Sequence, residues 1–291
     1  MKKQLTLLII LLFSIIFTAC KGNEKLAVAG SGWNEIAIID KKTGNIEWKH
    51  ELSSGDECNS IKITEKGYVL YAYKNGARLI NRDHEQIWDY AAREGEEIHS
   101  ASQLPDGGFL IGVCGQPARI VELDKEGKQR KEIAFNTVTF NTNYQFRQIS
   151  KTDSDTYLIP MIEKRKVVEL TSEGKSKRSV ILNYDLFSIK EIQDGNWIVS
   201  GGLNRCLLAV NPRNPLEETY VTGSVKGASL QFVGEIIPYG NGHALIANGR
   251  LPDGSAGNPL LIEIDEKNEV VWTLPYNRDI RNINAVYSFF E

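Results

Sequence analysis

The chain has 291 residues, 42% apolar and 24% charged, the composition of a folded domain rather than a disordered or fibrous chain. Its 34 basic and 37 acidic residues give a formal charge of −3, a mildly acidic balance that argues against nonspecific nucleic-acid binding. Its four cysteines show no C-x-x-C or Cys/His spacing, so no metal site is expected.

In chain order, Lys2 and Lys3 precede a thirteen-residue apolar run over 5–17, followed by "FTAC". This pattern reads as a signal peptide, because the run falls short of the ~20 residues needed to span a bilayer. Cys20 after Thr18-Ala19 resembles the lipobox of bacterial lipoproteins, with Phe17 where that motif usually has Leu. The resemblance implies cleavage before Cys20 and lipid on its sulfur; an ordinary secretory signal is the alternative. The expected organisation is a signal over 1–19, a short linker over 20–25 and one domain over 26–291. The protein would then sit in the bacterial cell envelope, periplasmic or surface-facing, touching the membrane only through its lipid. Without residues 1–19, 32 basic residues face 37 acidic ones, a formal charge of −5. Cys58, Cys114 and Cys206 are far apart and read as small buried thiols, one disulfide being the alternative.

From residue 26 onward the chain repeats itself. A Gly- or Asp-centred turn joins apolar strands in "TEKGYVLYAY" (64–73), "LPDGGFLIGV" (104–113), "KTDSDTYLIP" (151–160), "IQDGNWIVSG" (192–201) and "PYGNGHALIA" (238–247). A second hairpin recurs as "AIIDKKTGNIEW", "RLINRDHEQIW", "IVELDKEGKQRK", "VVELTSEGKSKR", "LAVNPRNPLEE" and "LIEIDEKNEVVW". Period-2 apolar patterning between such turns reads as strand, and four strands per unit of about 40–54 residues predict an all-β propeller. The first segment holds only three strands and lacks the innermost. The last, "NINAVYSFFE" (282–291), is a lone strand matching the inner strands elsewhere. Six blades follow, with the C-terminal strand completing blade one and removing an exposed edge. Seven blades are the alternative, if the segment between Thr219 and Phe232 holds further strands.

At Asp40-Lys-Lys-Thr43-Gly44-Asn-Ile-Glu-Trp48 the chain resembles the repeat of pyrroloquinoline-quinone-type propellers, whose D-x-x-T-G-x-x-x-W run ends each blade with a Trp packed between neighbouring sheets. Trp88 and Trp272 fall at the same position without the Thr-Gly. That family includes quinone-dependent dehydrogenases, an outer-membrane assembly lipoprotein and many secreted proteins. Its alcohol dehydrogenases carry eight blades and an adjacent Cys-Cys pair; this chain has neither, so no cofactor is expected. The aromatic column Tyr68, Phe109, Tyr157 and Trp197 reads as inter-blade core.

In a propeller the links between blades and the middle hairpin loops share one face around the central channel. Here those loops are irregular while the opposite turns are stereotyped, which points to binding groups on the channel face. The middle loops offer Trp33, Lys74, Gln116, Arg165, Arg205 and Arg250. The inner-strand starts offer Asn59, His99, Arg147, Glu235 and Asn284. Cations gathered on one rim of an acidic protein could focus field on an anion. His99 is the histidine this register places near the axis, with His50, His84 and His243 in outer-strand, turn or strand positions. The motifs of P-loops, EF-hands, zincins and serine hydrolases do not occur.

The sequence is therefore read as a lipid-anchored binding or interaction module taking a small-molecule, carbohydrate or protein partner on the channel face, with an anionic or acidic-sugar ligand expected. An enzyme is the alternative: a quinone-type oxidoreductase, or a lyase, hydrolase or sulfotransferase using His99 and Arg147.

Overall fold

A computed structural model describes residues 22–53, 56–216, 219–249 and 258–291; Cys20 and Arg250 lie outside them. The described residues form six four-stranded antiparallel sheets, which makes the chain a six-bladed propeller. The segment between Thr219 and Phe232 adds isolated bridges rather than a seventh sheet.

Blade one takes its inner strand, Ala285–Phe290, from the C-terminus and its other strands, Glu24–Ala29, Glu35–Asp40 and Ile46–Glu51, from the N-terminus. The joint is antiparallel from Glu24↔Phe290 to Ala29↔Ala285. Glu24–Ala29 thus begins inside the segment read as linker. Blades two to six start at the inner strands Cys58–Ile63, Glu97–Gln103, Ser150–Lys151, Ile189–Glu191 and Phe232–Pro238.

Local chemistry explains the outer hairpins. Asp40 accepts the N–H of Thr43, Asn81 those of Asp83 and Glu85, Asp124 those of Glu126 and Lys128, and Asp265 those of Lys267 and Glu269. A short Asx side chain bonding its own backbone two to four residues on stabilises each turn.

The core lies between blades. Trp88 meets Phe109 of blade three edge-on, ring centroids 4.7 Å apart. Trp48 packs with residues of blade two, and Trp272 against a cluster shared by blades six and one. Phe109, Tyr157 and Trp197 are buried and Tyr68 is partly buried against the same packing, so the aromatic column is inter-blade core. Cys58, Cys114 and Cys206 are buried free thiols; burial pushes the thiols of Cys58 and Cys114 up to about 12, which suppresses their nucleophilicity.

Candidate functional site

Two inner strands carry a one-residue bulge at the channel face. The pairing of blade two skips between Cys58 and Ser60, leaving Asn59 as the extra residue, and that of blade three skips between Ile98 and Ser100, leaving His99. A bulge re-aims its side chain out of the ladder. Both residues line a cavity of about 990 Å³ on the channel face, together with Lys74, Arg147, Arg165 and Asn284. Six of the eleven expected ligand-binding residues thus converge. The cavity also holds Glu57, Glu97, Tyr144, Asp185, Phe187 and Phe232, which the sequence reading missed.

Charge in the cavity is mostly paired. Lys74 Nζ lies 3.2 Å from Glu97 Oε1, and Arg165 Nε lies 3.2 Å from Asp185 Oδ1. Arg147 differs. Its guanidinium donates to Phe146 O at 3.1 Å and to Asn143 Oδ1 at 3.2 Å, and no ion pair forms on it among the described residues. Burial lowers its pKa while Cys114, Glu97 and Glu57 oppose that from a distance.

His99 is only 3% exposed. Its Nε2 lies 3.3 Å from Glu97 Oε2, off the line of a hydrogen bond, so both ring nitrogens lack a hydrogen-bond partner. Burial pulls the imidazole down to about 4, which leaves it neutral at pH 7. Asn284 donates to Ser31 Oγ at 3.1 Å, while its buried Oδ1 has no partner. Phe187 and Phe232 supply an apolar wall, ring centroids 5.3 Å apart and nearly perpendicular.

Four expected site residues lie elsewhere. Trp33 is buried in the core shared with blade six, and its indole N–H donates to Glu35. Gln116 ties its loop to Thr137 and Thr139. Arg205 occupies a left-handed turn position, φ 58°, and is exposed outside the cavity. The expected cluster of uncompensated cations is therefore not formed: three cations in the lining face the carboxylates of Glu57, Glu97, Glu163 and Asp185.

Glu235 is the fourth, and it is structural. The ladder of blade six skips between Val233 and Ile236, and Gly234 permits this because a Cβ there would sit 2.3 Å from Asn284 O. The shift buries Glu235 completely in the channel. Its carboxylate pairs with Lys62 of blade two, lies 3.1 Å from Lys190 Nζ of blade five, and accepts Gln148 Nε2 from the link into blade four at 3.1 Å. The backbone N–H of Val286, in blade one, also donates to it. One side chain thus joins five blades. Among the described residues no group of three or more His, Cys, Asp or Glu is placed to hold a metal ion.

A family model described as Mal s 1 allergenic protein-like matches residues 32–268, a different family from the one Asp40–Trp48 resembles. A Bacteroides caccae protein of unknown function is 33% identical in a crystal structure, covering 92% of this chain and all of that one, with TM-score 0.87. A streptogramin B lyase structure is 11% identical over 90% of this chain and 86% of that one, with TM-score 0.61. A catalytically inactive virginiamycin B lyase from Staphylococcus aureus, with quinupristin, is 11% identical over 90% and 88%, also with TM-score 0.61. These two likenesses are of fold. No curated protein matches in sequence.

Proposed function

The chain belongs to the Mal s 1 allergenic protein-like family, and on that premise we propose that it is a binding propeller, anchored outside the cytoplasm through lipid on Cys20, whose channel-face cavity takes a small anionic or acidic-sugar ligand. The observation that carries this reading is Arg147. Its half-buried guanidinium forms no ion pair among the described residues, and a planar fork of donors suits a carboxylate or sulfate. Asn284 Oδ1 and the His99 ring nitrogens are unpaired polar atoms just behind its wall, within reach of hydroxyl groups only when that wall opens, and Phe187 and Phe232 offer an apolar face to a sugar ring. A concave site with an apolar wall and few convergent polar groups is the ordinary form of a small-molecule site.

Thermal-shift screening of uronic acids against matching neutral sugars tests the reading. Stabilisation by the acids alone, weakening as salt screens charge over ~8–10 Å, is expected. Equal stabilisation by neutral sugars would remove the role given to charge.

One observation favours a second reading, elimination by a lyase. His99 is held neutral beside Arg147, the protonation state of a general base, and two of the similar folds carry lyase names. Both ring nitrogens are shut from solvent, so this reading also requires the wall of the cavity to open. Turnover of a uronate ligand that is lost in His99→Gln would favour it over binding alone.

A further inference from the structure

We propose that Tyr144 is the platform of a second sugar subsite beside Arg147, so that the ligand is an acidic oligosaccharide of two or more residues rather than a single uronate. This rests on the reading that Arg147 takes a uronate carboxylate. Tyr144 belongs to the link between Gln129–Phe135 of blade three and Ser150–Lys151 of blade four. That link runs over 136–149, fourteen residues, where the links between the other blades have five to ten. A long connection in a compact domain is usually functional.

The link is pinned along its length. Glu163 accepts the backbone N–H groups of Val138 and Thr139 at 2.7 and 2.5 Å. Gln145 is fully buried; its amide accepts the N–H of Gly115 at 2.8 Å and donates to Gly115 O at 3.0 Å and Thr139 O at 2.8 Å. The N–H groups of Ile162 and Glu163 donate to the carbonyls of Gln145 and Tyr144. This fixed backbone nevertheless leaves the Tyr144 side chain in solvent, with the residue 59% exposed. An aromatic residue carried on an ordered segment loses little freedom when a ligand covers it, so more of the burial appears as affinity.

The surroundings select the occupant. Tyr144 lines the same cavity as Arg147, together with Asn141 and Asn143. Asn143, its neighbour in the chain, accepts a hydrogen bond from Arg147 through Oδ1 at 3.2 Å, so the anion site and the platform are bridged by one side chain. A ring flanked by amides suits a pyranose, which has an apolar C–H face and hydroxyl groups around its edge, better than a wholly apolar ligand. With one uronate held at Arg147, the next sugar of the chain falls at Tyr144. The cavity has room for both: its volume of about 990 Å³ stands near the top of the ~300–1,000 Å³ range of small-molecule sites. Phe140, on the same link and 83% exposed, does not line the cavity.

The test is calorimetric titration of galacturonic acid and its α-1,4-linked disaccharide into the full chain and into Tyr144→Phe, Tyr144→Ala and Phe140→Ala. The disaccharide should bind the unmodified chain about tenfold more tightly than the monosaccharide. Tyr144→Ala should bring the disaccharide down to the affinity of the monosaccharide, and Tyr144→Phe, which keeps the ring, should preserve the gain. Phe140→Ala, which removes an exposed ring outside the cavity, should leave both affinities as they are. All three variants should melt like the parent, because the substituted rings are exposed. A disaccharide no tighter than the monosaccharide, or a gain that survives Tyr144→Ala or falls equally in Phe140→Ala, overturns the subsite and leaves the reading of Arg147 standing. Binding by neither uronate overturns both.

Discussion

The backbone N–H of Val286 donates to Glu235 Oε2 at 3.1 Å, so a buried side chain of blade six holds the strand that closes blade one. Ring closure therefore draws on both the Glu24–Ala29 ladder with Ala285–Phe290 and this contact between the neighbouring blades six and one.

Deleting residues 285–291 removes both. It bares the edge of Glu24–Ala29, whose residues from Leu26 to Ala29 are fully buried, and an exposed apolar edge templates pairing between chains. Aggregation or a broad, non-cooperative melt is expected by calorimetry and size-exclusion chromatography. A truncated chain that melts like the full one contradicts the closure.

Glu235→Ala leaves Lys62 and Lys190 in the channel without their shared carboxylate. Removing one partner of a buried ion pair costs about 3–5 kcal/mol, and denaturant unfolding should show a loss of that size. Replacing Glu235 by Leu together with Met at both lysines should recover most of it. If the single variant loses less than about 1 kcal/mol, the size of an exposed pair, Glu235 does not bind the blades together.

The burial of His99 sets a pH dependence. Its folded pKa, about 4, lies below the unfolded value of ~6.5. Between them the unfolded chain binds more protons, so stability rises with pH across that window and falls as pH drops through it. His99→Gln should flatten the stability profile between pH 4 and 6.5. A profile of the same slope in that variant would show that other groups govern the window.

Cys20→Ser should move the protein from the membrane to the soluble fraction, because stable anchoring takes multiple acyl chains and the proposed anchor supplies them at one cysteine. Continued membrane retention with palmitate labelling would place the lipid on another residue.

The propeller was legible because strand patterning and turn chemistry are local: alternating apolar residues and an Asp, Asn or Gly at each hairpin reveal the repeat, and a missing strand in blade one calls for the C-terminal one. Topology then placed Asn59, Lys74, His99, Arg147, Arg165 and Asn284 around one cavity. What sequence counting could not follow was register. Glu235, like Asn59 and His99, stands where an inner-strand ladder takes an extra residue, and counting does not show that it turns toward Lys62 and Lys190 in the channel while they line the cavity. Pairing was equally hidden. Glu97 and Asp185 neutralise Lys74 and Arg165; Glu97 opens an inner strand and Asp185 lies in an inter-blade link, where no period predicts a contact, and the one readable signal was an acidic residue at or just ahead of an inner strand. Trp33 looked like a loop aromatic and packs into the core because its neighbour across the seam, blade six, is over 200 residues away in sequence.

The central claim is that Arg147, rather than a general rim of cations, recognises the ligand. Calorimetric titration of an oligouronate into the unmodified chain, Arg147→Ala and Arg205→Ala tests it directly. The account predicts saturable binding that Arg147→Ala abolishes and Arg205→Ala leaves unchanged, with both variants melting like the parent. Binding that survives in Arg147→Ala, or that falls equally in both variants, would contradict it.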